Sequence, residues 1–244
     1  AGYVNGTNAA ARFSYPQGLA LDAQGNIYVA DTGNLVIRKV TAAGSVSTLT
    51  NGLVRFASPR AVAADRAGNL AVADNDCQTI TRVAAKGGFA LLAGSPSRHG
   101  SADGARDAAR FSRPCGVVAD GQGRLTVADN FNHTLRTVAP DGAVQTLAGR
   151  AQSSGTADGT NGVARFFWPS GATRDRAGAV YVADAGNHTI RKVAADGAVT
   201  TVAGGAGASG WADGAGGKAR FAWPADVAVD ASGTLYVADR GNHA

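Results

Sequence analysis

One short segment recurs five times along the 244-residue chain, and this repetition restricts the possible folds more than any other feature. The copies read VADTGNLVIRKV, VADNDCQTITRV, VADNFNHTLRTV, VADAGNHTIRKV and VADRGNHA. The aspartates of the VAD triplet are Asp31, Asp74, Asp129, Asp184 and Asp239, so the first interval is 43 residues and the later three are 55. A period of this size indicates a chain built from repeated supersecondary units.

Each repeat contains four short apolar runs separated by turn signals. In the fourth repeat they read SGATRD, AVYVAD, TIRKVA and AVTTVA. Runs that are apolar on both faces and rich in Val, Ile and Thr are typical of strands between neighbouring sheets, and helical periodicity is missing. The sequence therefore predicts an all-β fold, a β-propeller of four-stranded antiparallel blades. Four complete blades and half of a fifth are present.

This count predicts one propeller domain over residues 1–244 that is incomplete at both ends. The intact ring is predicted to have five or six blades. The missing strands would come from a longer chain, from other domains or from a partner chain, since an exposed strand edge invites aggregation.

Composition is that of a globular protein, with 45% apolar and 17% charged residues. No run approaches the length of a transmembrane helix, so we expect no membrane span. The net charge of +5 is spread through the repeats without a basic run, so the sequence does not indicate a nucleic acid partner.

The repeat resembles the NHL repeat over essentially the whole chain. The matching pattern is PxG, D-x-x-G, YVAD, GNH and IRKV. In the first repeat the matching residues are Pro16, Gly18, Asp22, Gly25, Tyr28, Asp31, Asn34 and Arg38. The second repeat departs most, with Ala61 for the glycine and with Cys77 and Gln78 for the asparagine and histidine. The resemblance implies a propeller that acts as a binding or scaffold module.

Residues that recur in every blade are interpreted as architecture. The VAD aspartates are expected to bond the turn between the second and third strands. Arginines recur on the third strand and are expected to stack or pair between blades. These arginines are Arg38, Arg82, Arg136 and Arg191.

Three long connections, residues 94–114, 149–169 and 204–224, form the most variable surface, and loops on a rigid scaffold usually carry function. Each ends in an Ala-Arg-Phe segment that is expected to hold the loop on its blade. Trp168 and Trp223 precede prolines and are expected to be packed, although an aromatic there would suit a sugar or a peptide. The candidate ligand-binding rim is His99, Asp103, Arg106, Asp158, Trp211 and Asp213.

The sequence predicts no catalytic residue and no cofactor, with Ca²⁺ or Zn²⁺ as the alternative. His133, His188 and His243 occupy equivalent places in successive blades, and equivalent places lie too far apart to surround one zinc ion. The spacing of an EF-hand calcium loop is also missing.

Cys77 and Cys115 are the only cysteines, and both depart from the repeat. Their places on adjacent blades permit a disulfide, which would imply an extracellular or other oxidising compartment. Two separate buried thiols in an intracellular protein are the alternative. Asn5 lies in an N-glycosylation sequon near one end, whereas Asn132 and Asn187 lie in sequons that coincide with the repeat.

We therefore predict a non-catalytic module that binds a protein or a glycan through the face of the long loops. Two alternatives come from other propellers. One is a metal-dependent lyase or lactonase, which would need acidic or histidine side chains on the innermost strands. The other is an RNA-binding NHL domain, to which Arg60, Arg98, Arg106 and Arg113 would contribute.

Overall fold

A computed structural model describes residues 1–49, 55–85, 87–160 and 162–244. The connection before Pro59 is short and reads only NGLVRFAS, and its residues 51–54 lie outside the described residues. The chain divides into two compact units: Ala1–Leu125 with Ala139–Ala143, and Thr126–Val138 with Val144–Ala244. The prediction of a single domain stays a prediction.

The first unit contains the first two repeats and the start of the third. Its strands are β1 (Gly6–Thr7), β2 (Pro16–Leu21), β3 (Ile27–Asp31), β4 (Val36–Val40), β5 (Ser45–Leu49), β6 (Pro59–Ala64), β7 (Leu70–Asp74), β8 (Thr79–Val83), β9 (Phe89–Gly94), β10 (Gly104–Ala105) and β11 (Pro114–Ala119). Short 3₁₀ turns cover Asn8–Ala10, Thr32–Asn34 and Arg106–Ala108. Two sheets result, in the orders β1-β5-β4-β3-β2 and β6-β7-β8-β9.

The second unit contains the rest of the third repeat, the fourth repeat and the half repeat. Its strands are β12 (Leu125–Asp129), which begins at the unit boundary, β13 (Thr134–Val138), β14 (Ala143–Gly149), β15 (Pro169–Arg174), β16 (Val180–Asp184), β17 (Thr189–Val193), β18 (Val199–Ala203), β19 (Pro224–Val229) and β20 (Leu235–Asp239). Its 3₁₀ turns are Asn130–Asn132, Ala185–Asn187, Gly216–Lys218 and Arg240–Asn242. The fourth repeat forms the sheet β15-β16-β17-β18, and β19 pairs with β20 alone.

These sheets confirm the predicted fold class of four antiparallel blades in a propeller arrangement, followed by the first two strands of another blade. No helix among the described residues is both long and apolar enough to cross a membrane.

The turn between the first and second strands forms as the D-x-x-G pattern predicts. Oδ1 of Asp22 accepts the backbone N–H groups of Gln24 and Asn26, both at 2.9 Å. Gly25 closes the turn at φ +78°, a left-handed conformation that favours glycine. The turn is therefore encoded locally, by one carboxylate and one glycine.

Within each unit, neighbouring sheets meet through buried apolar side chains. In the first unit the core cluster is Tyr28, Ala30, Ile37, Phe56, Val62, Leu70, Val72 and Val83. Burial of a large aliphatic side chain stabilises by about 1.5–3 kcal/mol, so these clusters hold neighbouring sheets together.

The first blade has one strand more than expected. Gly6 and Thr7 pair with Val46 and Ser45, so the connection before the blade adds β1 to the outermost strand β5. A single bridge between Gly159 and Val199 makes the same addition in the fourth repeat. The connections therefore cover strand edges that would otherwise be open to other chains.

Candidate functional site

The VAD aspartate of the fourth repeat lies at the centre of a buried hydrogen-bond network. Oδ2 of Asp184 accepts hydrogen bonds from Nδ2 of Asn187 and from Nη1 of Arg191, both at 2.7 Å. Its Oδ1 accepts the backbone N–H of Phe167 at 2.7 Å. Burial raises the pKa of the Asp184 carboxyl to about 6, against the opposing effects of Arg191, Asn187 and the Phe167 N–H. The residues hold one another, so their role is structural.

The same arginine also fastens the long connection to its blade. Nη2 of Arg191 donates to the Ala157 carbonyl at 2.9 Å and to Oδ1 of Asp158 at 2.7 Å. The guanidinium carbon lies 5.2 Å from the centre of the Phe166 ring, so the Ala-Arg-Phe segment packs on it. Burial opposes ionisation of Asp158, but hydrogen bonds from Thr201 and Arg191 outweigh it and lower the pKa of the carboxyl.

The first repeat has the same arginine anchor, that is, an arginine that fastens the preceding connection to its blade. Here an amide takes the place of the carboxylate. Nη2 of Arg38 donates to Oδ1 of Asn5 and to the Val4 carbonyl, both at 2.8 Å. Its guanidinium carbon lies 5.2 Å from the centre of the Tyr3 ring. By repeat alignment, Trp211 and Asp213 take the places of Tyr3 and Asn5 in the last repeat.

The second repeat lacks the anchor, and this corrects the assignment of Arg82 to the recurring arginine position. Thr81 occupies the place of Arg38, and Arg82 lies on the opposite face of β8 with a side chain that is 39% exposed. Asp74 instead accepts the backbone N–H groups of Ala57 and Ser58, both at 2.8 Å. The arginine is therefore absent in the one complete repeat that follows a short connection.

The six rim residues are divided between the units. His99, Asp103 and Arg106 belong to the first unit, and Asp158, Trp211 and Asp213 belong to the second. Arg106 donates from Nε to the Asp141 carbonyl at 3.0 Å, and Asp158 is held by Arg191, so both have structural partners. The rim as a ligand site stays a prediction.

A row of aromatic side chains in the second unit is the more distinctive surface. The ring centres of Phe131 and Trp168 are 6.3 Å apart, and those of Trp168 and Trp223 are 5.7 Å apart with an interplanar angle of 28°. Phe131 is 46% exposed and Trp223 is 44% exposed. We call these three residues the aromatic strip.

Histidines hold the backbone of the aromatic strip. The Trp168 N–H donates to Nδ1 of His133 at 3.3 Å, and the Trp223 N–H donates to Nδ1 of His188 at 3.1 Å. Both tryptophans have φ of +53°, a left-handed conformation that is costly for a residue with a Cβ. Other contacts must therefore hold the two tryptophans in this conformation.

Phe167 and Asn130 make further contacts that support the strip. The Phe167 ring lies 4.3 Å from the Trp168 ring and 5.6 Å from the His133 ring, measured between centres. Beside Phe131, Nδ2 of Asn130 donates to the Pro169 carbonyl at 2.9 Å. These contacts join the turn before β13 to the start of β15.

Sequence reasoning named the two tryptophans but did not join them with Phe131. The signal was present as a departure from the repeat, since the other repeats place Gly33, Asp76, Gly186 and Gly241 where Phe131 stands. The residue before the strand-opening proline likewise varies among the repeats, as Tyr15, Ser58, Arg113, Trp168 and Trp223. Large aromatics at variable positions of a regular repeat are a stronger functional signal than its recurring polar residues.

A carboxyl on an innermost strand was also missed. Asp226 on β19 takes the place of the repeat glycine, and its Oδ1 lies where a Cβ at Gly171 would clash with it. The residue is exposed to solvent, and desolvation by its neighbours raises the pKa of the carboxyl against the hydrogen bond from the Val227 N–H. In the described parts of the chain, no group of three or more His, Cys, Asp or Glu side chains is placed to hold a metal ion.

The remaining candidates are the two cysteines and the glycosylation sequon at Asn5. No disulfide links Cys77 and Cys115 in the described part of the chain, so the predicted bridge is unsupported. Asn5 is exposed at its sequon, with Oδ1 bonded to Arg38. Glycosylation and an oxidising compartment stay predictions.

The NHL repeat family matches residues 13–39 and 221–244. NHL repeat-containing protein 2 of Bos taurus is 35% identical over 148 residues, a match that covers 55% of this chain and 20% of that protein. The chain thus spans about a fifth of the length of this relative.

Two solved structures share the fold. An auxiliary nutrient binding protein from Bacteroides ovatus has a TM-score of 0.72 at 19% identity, over 98% of this chain and 58% of that chain. A virginiamycin B lyase from Staphylococcus aureus has a TM-score of 0.64 at 14% identity, over 92% and 63%. Since one is named as a binding protein and the other as an enzyme, the shared fold does not decide the activity.

The repeated four-stranded blades, with their buried aspartates and loop-anchoring arginines, define a β-propeller. Within it, residues 13–39 and 221–244 match the NHL repeat, and the chain is similar to NHL repeat-containing protein 2.

Proposed function

We propose that this chain is a non-catalytic binding module and that its aromatic strip binds the sugar rings of a glycan. One observation carries the proposal: Phe131, Trp168 and Trp223 form a continuous row of partly exposed rings on positions that vary between repeats. Exposed aromatic rows held in place by a rigid scaffold are typical of ligand sites.

The geometry of the row suits stacking on a sugar. Two rings whose centres are 5.7 Å apart at 28° are offset, so each retains part of its face for another ring. The C–H face of a pyranose is apolar, while its edge carries hydroxyl groups. Each indole also carries one N–H donor, the kind of group that binds a ligand oxygen.

Its size favours a glycan over a protein partner. A large aromatic side chain buries about 150–250 Å², so three partly exposed rings offer far less than the roughly 800 Å² per partner of a stable protein interface.

The test uses a panel of purified polysaccharides in affinity electrophoresis, followed by fluorescence titration with any that retards the protein. We expect Phe131→Ala and Trp223→Ala each to weaken binding about two- to tenfold, the loss of about 0.5–1.5 kcal/mol of stacking. Trp211→Ala is the matched control, because Trp211 is 79% exposed on a loop outside the strip.

Two results would reject the proposal. If the strip variants bind a retained polysaccharide as wild type does while Trp211→Ala does not, the long loop is the site instead. If mass spectrometry finds a bound glycan cleaved or eliminated after incubation with the protein, the module is catalytic. Circular dichroism establishes that each variant is folded.

A further inference from the structure

In successive repeats, two histidines accept the same backbone hydrogen bond from a tryptophan. His133 and His188 each follow a 3₁₀ turn at φ of +58° and +59° and accept the backbone N–H of a strip tryptophan with Nδ1. The repeats lie 55 residues apart, so the arrangement is reproduced as a unit.

In the second repeat, another residue type accepts the equivalent hydrogen bond. Gln78 takes the histidine position and accepts the Arg113 N–H with Oε1 at 2.7 Å. Arg113 has φ of +52° and precedes Pro114, as the tryptophans precede their prolines. The shared requirement of this position is therefore an acceptor for the left-handed residue before the proline.

Glutamine and histidine meet this requirement differently. An amide oxygen accepts at any pH, whereas Nδ1 accepts only in the neutral imidazole whose proton is on Nε2. A protonated imidazole carries an N–H on both nitrogens, so its Nδ1–H would face the tryptophan N–H. The hydrogen bond would then be replaced by repulsion between two donors.

We propose that His133 and His188 are positioning residues of the aromatic strip, and that protonation of their imidazoles releases Trp168 and Trp223, which makes the strip a pH-sensitive ligand site. The release itself concerns the protein alone. Only its effect on ligand affinity rests on the proposed function.

The surroundings place this transition below neutral pH. Burial lowers the pKa of both imidazoles from the ordinary 6.5, against the backbone of Asn130 at His133 and the charge of Asp239 at His188. The neutral, bonded form therefore predominates above pH 6.5, and it is lost as the pH falls through the lowered values.

Other charged groups lie around these turns and are the same in every variant that the test compares. They are Asp129, Asp184, Asp239, Arg136 and Arg191. Asp184, which accepts the Phe167 N–H, titrates near pH 6, so a pH effect in the wild type alone would not identify the histidines.

The experiment reads the strip directly and needs no ligand. The chain has three tryptophans, so in a Trp211→Phe background both remaining indoles belong to the strip. Acrylamide quenching of the tryptophan fluorescence is measured from pH 8 to pH 4.5 in three proteins. They are this background alone, the same background with both His133→Gln and His188→Gln (the glutamine pair), and the same background with both His133→Ala and His188→Ala (the alanine pair).

We expect quenching to rise below pH 6.5 with histidine, to stay flat with glutamine, and to be high at every pH with alanine. Loss of one net hydrogen bond favours the released state about fivefold. Far-UV circular dichroism is expected to stay unchanged between pH 8 and 5 in the histidine and glutamine proteins.

The proposal is overturned if the glutamine pair shows the same pH transition as histidine, or if the alanine pair is quenched at pH 8 no more than the parent. Polysaccharide binding by the same variants is a separate measurement. Failure of all binding with the expected quenching profile would reject the glycan proposal and leave the histidine assignment intact.

Discussion

Arg191→Ala is the substitution that tests the structural account most directly. It removes one guanidinium that bonds Asp184, Asp158 and the carbonyls of Ala157 and Arg165 at 2.7–2.9 Å. The Arg191 side chain is 1% exposed and that of Asp184 is 0% exposed, so a buried carboxylate would lose its cationic partner.

Breaking a buried ion pair by removing one member costs about 3–5 kcal/mol. In a domain of 150–250 residues 1 kcal/mol corresponds to roughly 2–4 °C in Tm, so we expect Tm to fall by about 6–20 °C. Arg191→Lys is expected to fall between wild type and alanine, because an ammonium keeps the charge but not the forked geometry.

The assay is thermal unfolding followed by circular dichroism, with Arg82→Ala as the control. Arg82 lies one position beyond the equivalent of Arg191, is 39% exposed and approaches Asp65 only to 3.9 Å, so its loss is expected to cost less than about 1 kcal/mol. Equal Tm values for the two alanine variants would refute the buried-anchor account. Limited proteolysis is expected to cut residues 150–160 faster in the Arg191 variant only.

Three smaller predictions follow from other contacts. Asn5→Asp gives Arg38 a second carboxylate and is expected to raise Tm by no more than about 4 °C, an increase that 1 M salt removes; a decrease at low salt would contradict this. Burial and then the Asp74 charge raise the pKa of the Cys77 thiol, so at pH 7.5 iodoacetamide is expected to alkylate it more slowly than free cysteine, as followed by peptide mass spectrometry. Desolvation by its neighbours raises the pKa of Asp226 above 3.8, so its folded form prefers the proton and stability is lost as pH rises past 3.8. Because solvent reaches this exposed residue and screens its charge, Asp226→Asn is expected to gain only a small stability over wild type from pH 4 to 7, and a constant difference in Tm across that range would be evidence against it.

The blade plan could be predicted because its information is local and repeated. The D-x-x-G turn at Asp22 and the Asn187 to Asp184 bond join residues three or four positions apart, so each is visible as a short pattern. Where prediction failed, one position mattered: Arg82 was assigned with the anchoring arginines, but a shift of one residue turns a strand side chain to the opposite face.

The loop carboxylates show the limit of local reasoning. Asp158 lies in an Asp-Gly segment of a variable loop, which the sequence presents as an accessible rim. Its partner Arg191 is 33 residues away, on a strand whose side-chain direction depends on the sheet register. Only the folded chain shows that this carboxylate helps to hold its own loop.

The sequence by itself determined the all-β class, the number of blades present and the residues of each turn, because these depend on period and on hydrogen bonds within a few residues. The tertiary structure decided the aromatic strip. Its three rings come from three repeats, and the Trp168 backbone is held by a histidine 35 residues earlier in the chain. Stacking depends on distance and angle between rings, and those are set by how neighbouring sheets pack rather than by the order of residues.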